Sequence, residues 1–231
     1  MKRISFFAIA FLSLAGWVRA QEKTISLDDI WLNGTFNAKG VSGFQPSTDG
    51  ETYTRLEYDR NNNRNFIVKY NYKTGNVVDT IYRSDMVNAS NTAAGGSLIE
   101  SYSFSKNGKY LIYACHSEYI YRHSFRALYF VVDLKLGKPI PVSNDKVRYA
   151  TLSPDGSMVA YVKDNDLYVK PIMDLNATPI TSDGEEDKII NGAVDWVYEE
   201  EFSMSNGFSW SEDGEKIAYY KFDESQVKSS K

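Results

Sequence analysis

A four-residue turn signature, Ser-x-Asp/Asn-Gly, recurs four times along this chain, and each copy opens onto β-branched and aromatic residues. The copies are Ser47-Thr48-Asp49-Gly50 ahead of Tyr53, Ser105-Lys106-Asn107-Gly108 ahead of Tyr110 to Tyr113, Ser153-Pro154-Asp155-Gly156 ahead of Met158 to Tyr161, and Ser211-Glu212-Asp213-Gly214 ahead of Ile217 to Tyr219. Asp-Gly and Asn-Gly supply the positive backbone angles of a tight turn, so each copy reads as a hairpin turn feeding a strand. The glycines stand at 50, 108, 156 and 214, a recurrence within the range of four-stranded propeller blades.

A second repeat follows the first three copies, in the form of another strand, a turn and a further strand. Asn65–Tyr70 precedes Lys73-Thr74-Gly75-Asn76 and Val77–Ile81, Leu128–Asp133 precedes Leu136-Gly137-Lys138 and Pro139–Val142, and Leu167–Ile172 precedes Leu175-Asn176-Ala177 and Thr178–Thr181. A β-sandwich rich in glycine turns would match the strand density but does not predict matched repeats at blade spacing. The expected fold is therefore all-β, a partial β-propeller of about three to four blades, each a four-stranded antiparallel sheet. After Ile217–Phe222, read as one strand, only Asp223 to Lys231 remain, too few for the other strands of a blade. A repeat array needs capped or closed ends, so the chain reads as the front part of a longer protein.

Residues 1–20 are set apart from this pattern. Lys2 and Arg3 precede an apolar run from Ile4 to Val18 that ends at Val18-Arg19-Ala20, which has the form of a secretory signal peptide. The run is short for a membrane span, and no second apolar run follows it. The expectation is an exported protein, periplasmic or secreted, with no membrane span after cleavage and a mature segment from residue 21 to 231. Losing Lys2, Arg3 and Arg19 takes the formal charge from −4 to −7, which argues against a nucleic-acid partner. The single cysteine, Cys115, cannot form an intrachain disulfide and reads as a small buried residue of a strand. Sequons at Asn33, Asn88 and Asn176 matter only where exported proteins are glycosylated.

The chemistry concentrates in Asp195-Trp196-Val197-Tyr198-Glu199-Glu200-Glu201-Phe202. Most glutamate triplets are solvated helix surface. Here Trp196, Tyr198 and Phe202 are expected to wall the acids with apolar surface, where neighbouring carboxylates repel and favour a proton or a cation. An α-amino group, with a pKa near 8, is largely protonated at neutral pH and offers three N–H donors to such a pair.

In spelling and order, this run followed by Trp210-Ser211 and Ala218-Tyr219 resembles the glutamate motif of the dipeptidyl peptidase IV family, enzymes that release dipeptides from free N-termini. A second match is Tyr121-Arg122-His123-Ser124-Phe125 followed by Tyr129 and Val132-Asp133-Leu134, which is similar to the family segment bearing a substrate-binding arginine. The resemblance runs from about Leu27 to Val227 and is strongest from Arg122 onward. It implies that Glu200 and Glu201 bind the substrate amine, that Arg122 donates to a substrate carbonyl, and that Glu199 is structural. It further implies an eight-bladed propeller of which this is the N-terminal part, an α/β-hydrolase domain carrying a Ser/Asp/His triad, a preference for penultimate proline or alanine, and a homodimer in the intact protein. The chain departs from the family after Val227, where a proline and another strand usually follow.

No Gly-x-Ser-x-Gly nucleophile elbow occurs in these residues. The two histidines, His116 and His123, read as structural or hydrogen-bonding groups, and with one cysteine they make no convincing zinc set, so no catalytic residue, metal or other cofactor is expected here. Ala94-Gly95-Gly96 reads as a flexible loop rather than a phosphate cradle. Two alternatives stay open: a non-catalytic exported propeller that binds peptides, and an inactive homologue that keeps the acidic pocket.

Overall fold

The computed structural model describes residues 24–38, 43–86, 97–174 and 176–228. The signal-peptide reading of residues 1–20, the sequon at Asn88, the loop at Ala94-Gly95-Gly96 and turn residue Leu175 lie outside them. Two compact units are present, Met1–Ser42 and Gly43–Lys231. Of the first, the described part is a short helix, α1 (Leu27–Trp31), closed by a capping box in which the Ser26 hydroxyl accepts from the Asp29 N–H and the Ser26 N–H donates to the Asp29 carboxylate. Among the described residues no helix is long and apolar enough to cross a membrane.

The second unit is built from the expected repeats. Strands β1 (Gln45–Pro46), β2 (Thr52–Asp59), β3 (Arg64–Asn71) and β4 (Val77–Arg83) form one antiparallel sheet in sequence order. Strands β5 (Ser101–Phe104), β6 (Tyr110–Tyr119), β7 (Phe125–Asp133) and β8 (Pro139–Pro141) form the second, and β9 (Arg148–Leu152), β10 (Met158–Lys163), β11 (Asp166–Pro171) and β12 (Thr178–Pro179) the third. Each is a propeller blade, and each Ser-x-Asx-Gly turn joins its first strand to its second.

Three of the four turns share one hydrogen-bond set; in the first, Asp49 Oδ1 instead accepts from the Thr52 N–H at 2.9 Å. In the third blade the Ser153 N–H donates to the Met158 carbonyl (2.9 Å), the Ser153 hydroxyl accepts from the Met158 N–H (3.0 Å) and donates to Asp155 Oδ1 (2.6 Å), and the Gly156 N–H donates to the Ser153 carbonyl (2.9 Å). Ser105 and Ser211 make the same set with Asn107, Tyr110, Asp213 and Lys216. Neighbouring turns also touch: Asn107 Nδ2 donates to the Asp155 carbonyl at 2.6 Å, and a Cβ on Gly156 would stand 2.7 Å from the Tyr110 ring.

Strand alternation divides the core into layers, because successive side chains leave a strand on opposite faces. From β6, Leu111, Tyr113 and Cys115 enter a cluster with Ile67 and Tyr82 of the first blade. Ile112 and Ala114 enter a second cluster with Leu152, Val159 and Tyr161 of the third. From β10, Ala160 and Val162 turn the other way, toward Ala193 and Phe208. Central blades are thus buried on both faces and read as near-continuous apolar runs.

The fourth repeat differs from its expected form. Ile217–Phe222 is not one strand: β15 (Ile217–Tyr219) pairs with β14 (Phe208–Trp210), whereas β16 (Lys221–Asp223) pairs with β13 (Ile189–Asn191). At Tyr220 the backbone splits its bonds, its N–H donating to the Gly207 carbonyl and its carbonyl accepting from the Gly192 N–H. The residues between β13 and β14 carry a helix, α2 (Trp196–Phe202), which holds the glutamate run.

Candidate functional site

Helix α2 starts where the sequence changes from Gly-Ala-Val to Asp195. The Asp195 carboxylate caps it by accepting from the Tyr198 N–H at 2.8 Å, and Ser203, in the left-handed region at φ 53°, ends it by donating to the Tyr198 carbonyl. Tyr198 fixes the helix face by packing on Phe202, one turn on, and on Phe222 of β16, with ring centroids 5.2 and 4.8 Å away.

The second component is the β6–β7 hairpin, whose strands of 10 and 9 residues are the longest of the described sheets. Its stem carries a bulge between Cys115 and Glu118, with His116 at φ 55° and its ring 2.5 Å from the Ser97 hydroxyl. Above the bulge, Glu118 bonds Lys146 at 2.6 Å and Arg126 at 2.9 Å, and these cations, Lys146 foremost, hold its carboxyl below the ordinary range. At the tip, the Ile120 and Tyr121 N–H groups both donate to the Ser124 carbonyl, which leaves Arg122 at the apex.

The hairpin tip and the helix meet. Arg122 Nη2 stands 3.5 Å from Glu200 Oε2, the arginine side chain largely exposed and the glutamate side chain mostly covered. Two of the three residues singled out from the sequence, 78 positions apart by their numbers, are therefore neighbours. Glu201 is exposed at the next helix position and makes no ion pair among the described residues. Glu199 points the other way and is 1% exposed, its Oε1 accepting from the His123 N–H at 2.6 Å and the Ser124 N–H at 3.1 Å. Burial alone would raise the Glu199 carboxyl, but the Ser124 hydroxyl and these two amides outweigh it and hold the pKa below its usual value. Nearby, Glu224 shifts upward, because of its burial and then the charges of Asp195 and Asp187.

One expectation about this site is corrected. Trp196 and Phe202 do not wall the acids: they are 54% and 67% exposed, because the inward side of the short helix is taken by Tyr198 and Glu199. The sequence reading also missed what Glu199 holds, since its partners are backbone amides with no side-chain signature. The spacing Asp195-x-x-Tyr198-x-x-x-Phe202, a cap followed by an i,i+4 aromatic pair, could have signalled the helix. His123 is exposed, and among the described residues no group of three or more His, Cys, Asp and Glu is placed to hold a metal ion.

Chemically, the pair offers a carboxylate acceptor beside a largely exposed guanidinium, a group with five N–H donors. Such a site suits a ligand carrying a cation and a carbonyl oxygen close together. The fold and site define a run of β-propeller blades that presents an acid–arginine pair at one hairpin tip. The family model for the dipeptidyl peptidase IV N-terminal region matches residues 105–231, more than half of the sequence, and the chain belongs to that family.

Relatives agree over a wider span. The chain is 32% identical over 210 residues to the prolyl endopeptidase FAP of Homo sapiens and of Bos taurus, covering 89% of this chain and 25% of theirs. It is 38% identical over 134 residues to the dipeptidyl peptidase 4 of Felis catus, covering 56% of this chain and 17% of that one. The crystal structure of Porphyromonas gingivalis dipeptidyl peptidase 4 superposes with a TM-score of 0.72 at 35% identity, over 88% of this chain and 28% of that one. The chain thus spans between 17% and 28% of the length of these relatives.

Proposed function

We infer that this chain is the N-terminal propeller portion of an exported serine-type dipeptidyl peptidase that releases dipeptides, with proline or alanine second, from peptides with a free N-terminus. Glu200 and Glu201 hold the substrate ammonium, and Arg122 donates to a carbonyl of the same dipeptide. A Ser/Asp/His triad on an α/β-hydrolase domain cuts the bond. The observation that carries this reading is the 3.5 Å approach of Arg122 to Glu200 in a member of this family.

In the free site the arginine partly neutralises Glu200. An arriving ammonium adds the missing cation, while the spare guanidinium donors stay available to the carbonyl oxygen. Fixing the amine at a set distance from a nucleophile makes the site a ruler two residues long. Its contribution to rate is proximity.

The division of labour is tested by assaying a Gly-Pro chromogenic substrate. The 231-residue chain is expected to give no turnover, and the complete gene product to be active. Turnover by the short chain would refute the assignment of the chemistry to another domain. In the complete protein, Glu200→Ala is expected to lower kcat/KM about 10- to 100-fold, the worth of one charge-assisted hydrogen bond.

A further inference from the structure

We propose that Glu199 is the positioning residue of this site: its carboxylate latches the tip of the β6–β7 hairpin to α2 and so sets the spacing between Arg122 and Glu200. This rests on the reading that Arg122 and Glu200 hold the substrate. The first observation is burial. Glu199 is 1% exposed although Trp196, Val197 and Phe202 on the same short helix are about half exposed or more. A buried carboxylate is costly unless hydrogen bonds replace its water, and Glu199 Oε1 receives two from the residues that directly follow Arg122.

The second observation is how little else holds Arg122. Its side chain is 71% exposed and makes a single ion pair among the described residues, at 3.5 Å, too little to fix its place. The tip backbone does. The Ser124 carbonyl takes the Ile120 and Tyr121 N–H groups, while the Ser124 and His123 N–H groups go to Glu199. The residues flanking Arg122 are therefore tied, Tyr121 to the hairpin and His123 to the helix that carries Glu200. Ser124 Oγ and Glu199 Oε2 are both buried without a partner of good hydrogen-bond geometry, so the contact is closed to solvent.

A latch differs from a mere structural staple in acting through Arg122. In the complete enzyme, Glu199→Ala is expected to raise KM for a free-amine dipeptidyl substrate about tenfold with kcat held within about twofold, and Glu199→Gln, which keeps one acceptor oxygen without the charge, about threefold. In an Arg122→Ala background either change should have little further effect on KM. Amide hydrogen exchange at His123 and Ser124 should quicken in both variants.

An unchanged KM, or a KM effect that persists in full in the Arg122→Ala background, overturns the latch. If Glu199→Ala does not fold, Glu199→Gln decides by the same cycle. Arg122→Ala and Glu200→Ala alone separate the two layers: if neither raises KM, the substrate site itself is wrong and the latch falls with it. If both raise KM and the Glu199 variants do not, only the latch is wrong.

Discussion

Cys115 shows how far a single residue can be read. As a lone cysteine inside an apolar run it signals a small core residue, and it is fully buried among Tyr113, Phe130 and Val132. Burial, aided by the charge of Glu100, pushes its thiol up to about 11. Iodoacetamide at pH 8 should therefore leave the folded protein unmodified and label it only after unfolding, with mass spectrometry as the readout. Arg122 and Glu200 could be singled out because each sits in a recognisable run of residues, and the structure brings them within 3.5 Å of each other. What Glu199 does was not, because its partners are backbone N–H groups some 75 positions away. Exposure of Trp196 and Phe202 was equally hidden, since a helix of 7 residues assigns inward and outward positions only once its packing partner, Phe222, is known.

At the scale of elements, the Ser-x-Asx-Gly turns were the most legible part of the chain, because every atom that makes the turn comes from within six residues. The break at Tyr220 was illegible for the opposite reason: it depends on pairing with β13, about thirty residues earlier. Gly156 combines φ 74° with the close Tyr110 ring, so Gly156→Ala should destabilise the fold by about 1–2 kcal/mol from backbone strain alone, measurable by urea unfolding. Asp155 in the same turn is held at about 2 by the Ser153 hydroxyl and then by Ser157. Its folded value is depressed, so its stabilisation is complete above the ordinary aspartate value near 4 and is lost as pH falls through about 2. Asp155→Asn should accordingly flatten the fall of the melting temperature between about pH 4 and pH 2.

For the whole molecule, the three apolar clusters each join one sheet to the next, so stability builds blade by blade. That layering places a hairpin tip of the second blade beside a helix inserted ahead of β14 of the fourth, and the acid–arginine pair arises where they meet. Blade number and spacing were readable from the repeats, but the meeting of tip and helix was expected only through resemblance, because no local rule sets it. This pair is proposed as an amine anchor, and the direct test is discrimination between a free and an N-acetylated Gly-Pro chromogenic substrate by the complete enzyme. In the native protein kcat/KM should favour the free amine strongly, and Glu200→Gln with Glu201→Gln should collapse this preference by lowering turnover of the free-amine substrate alone. Retention of the full preference in the double variant would contradict the proposal.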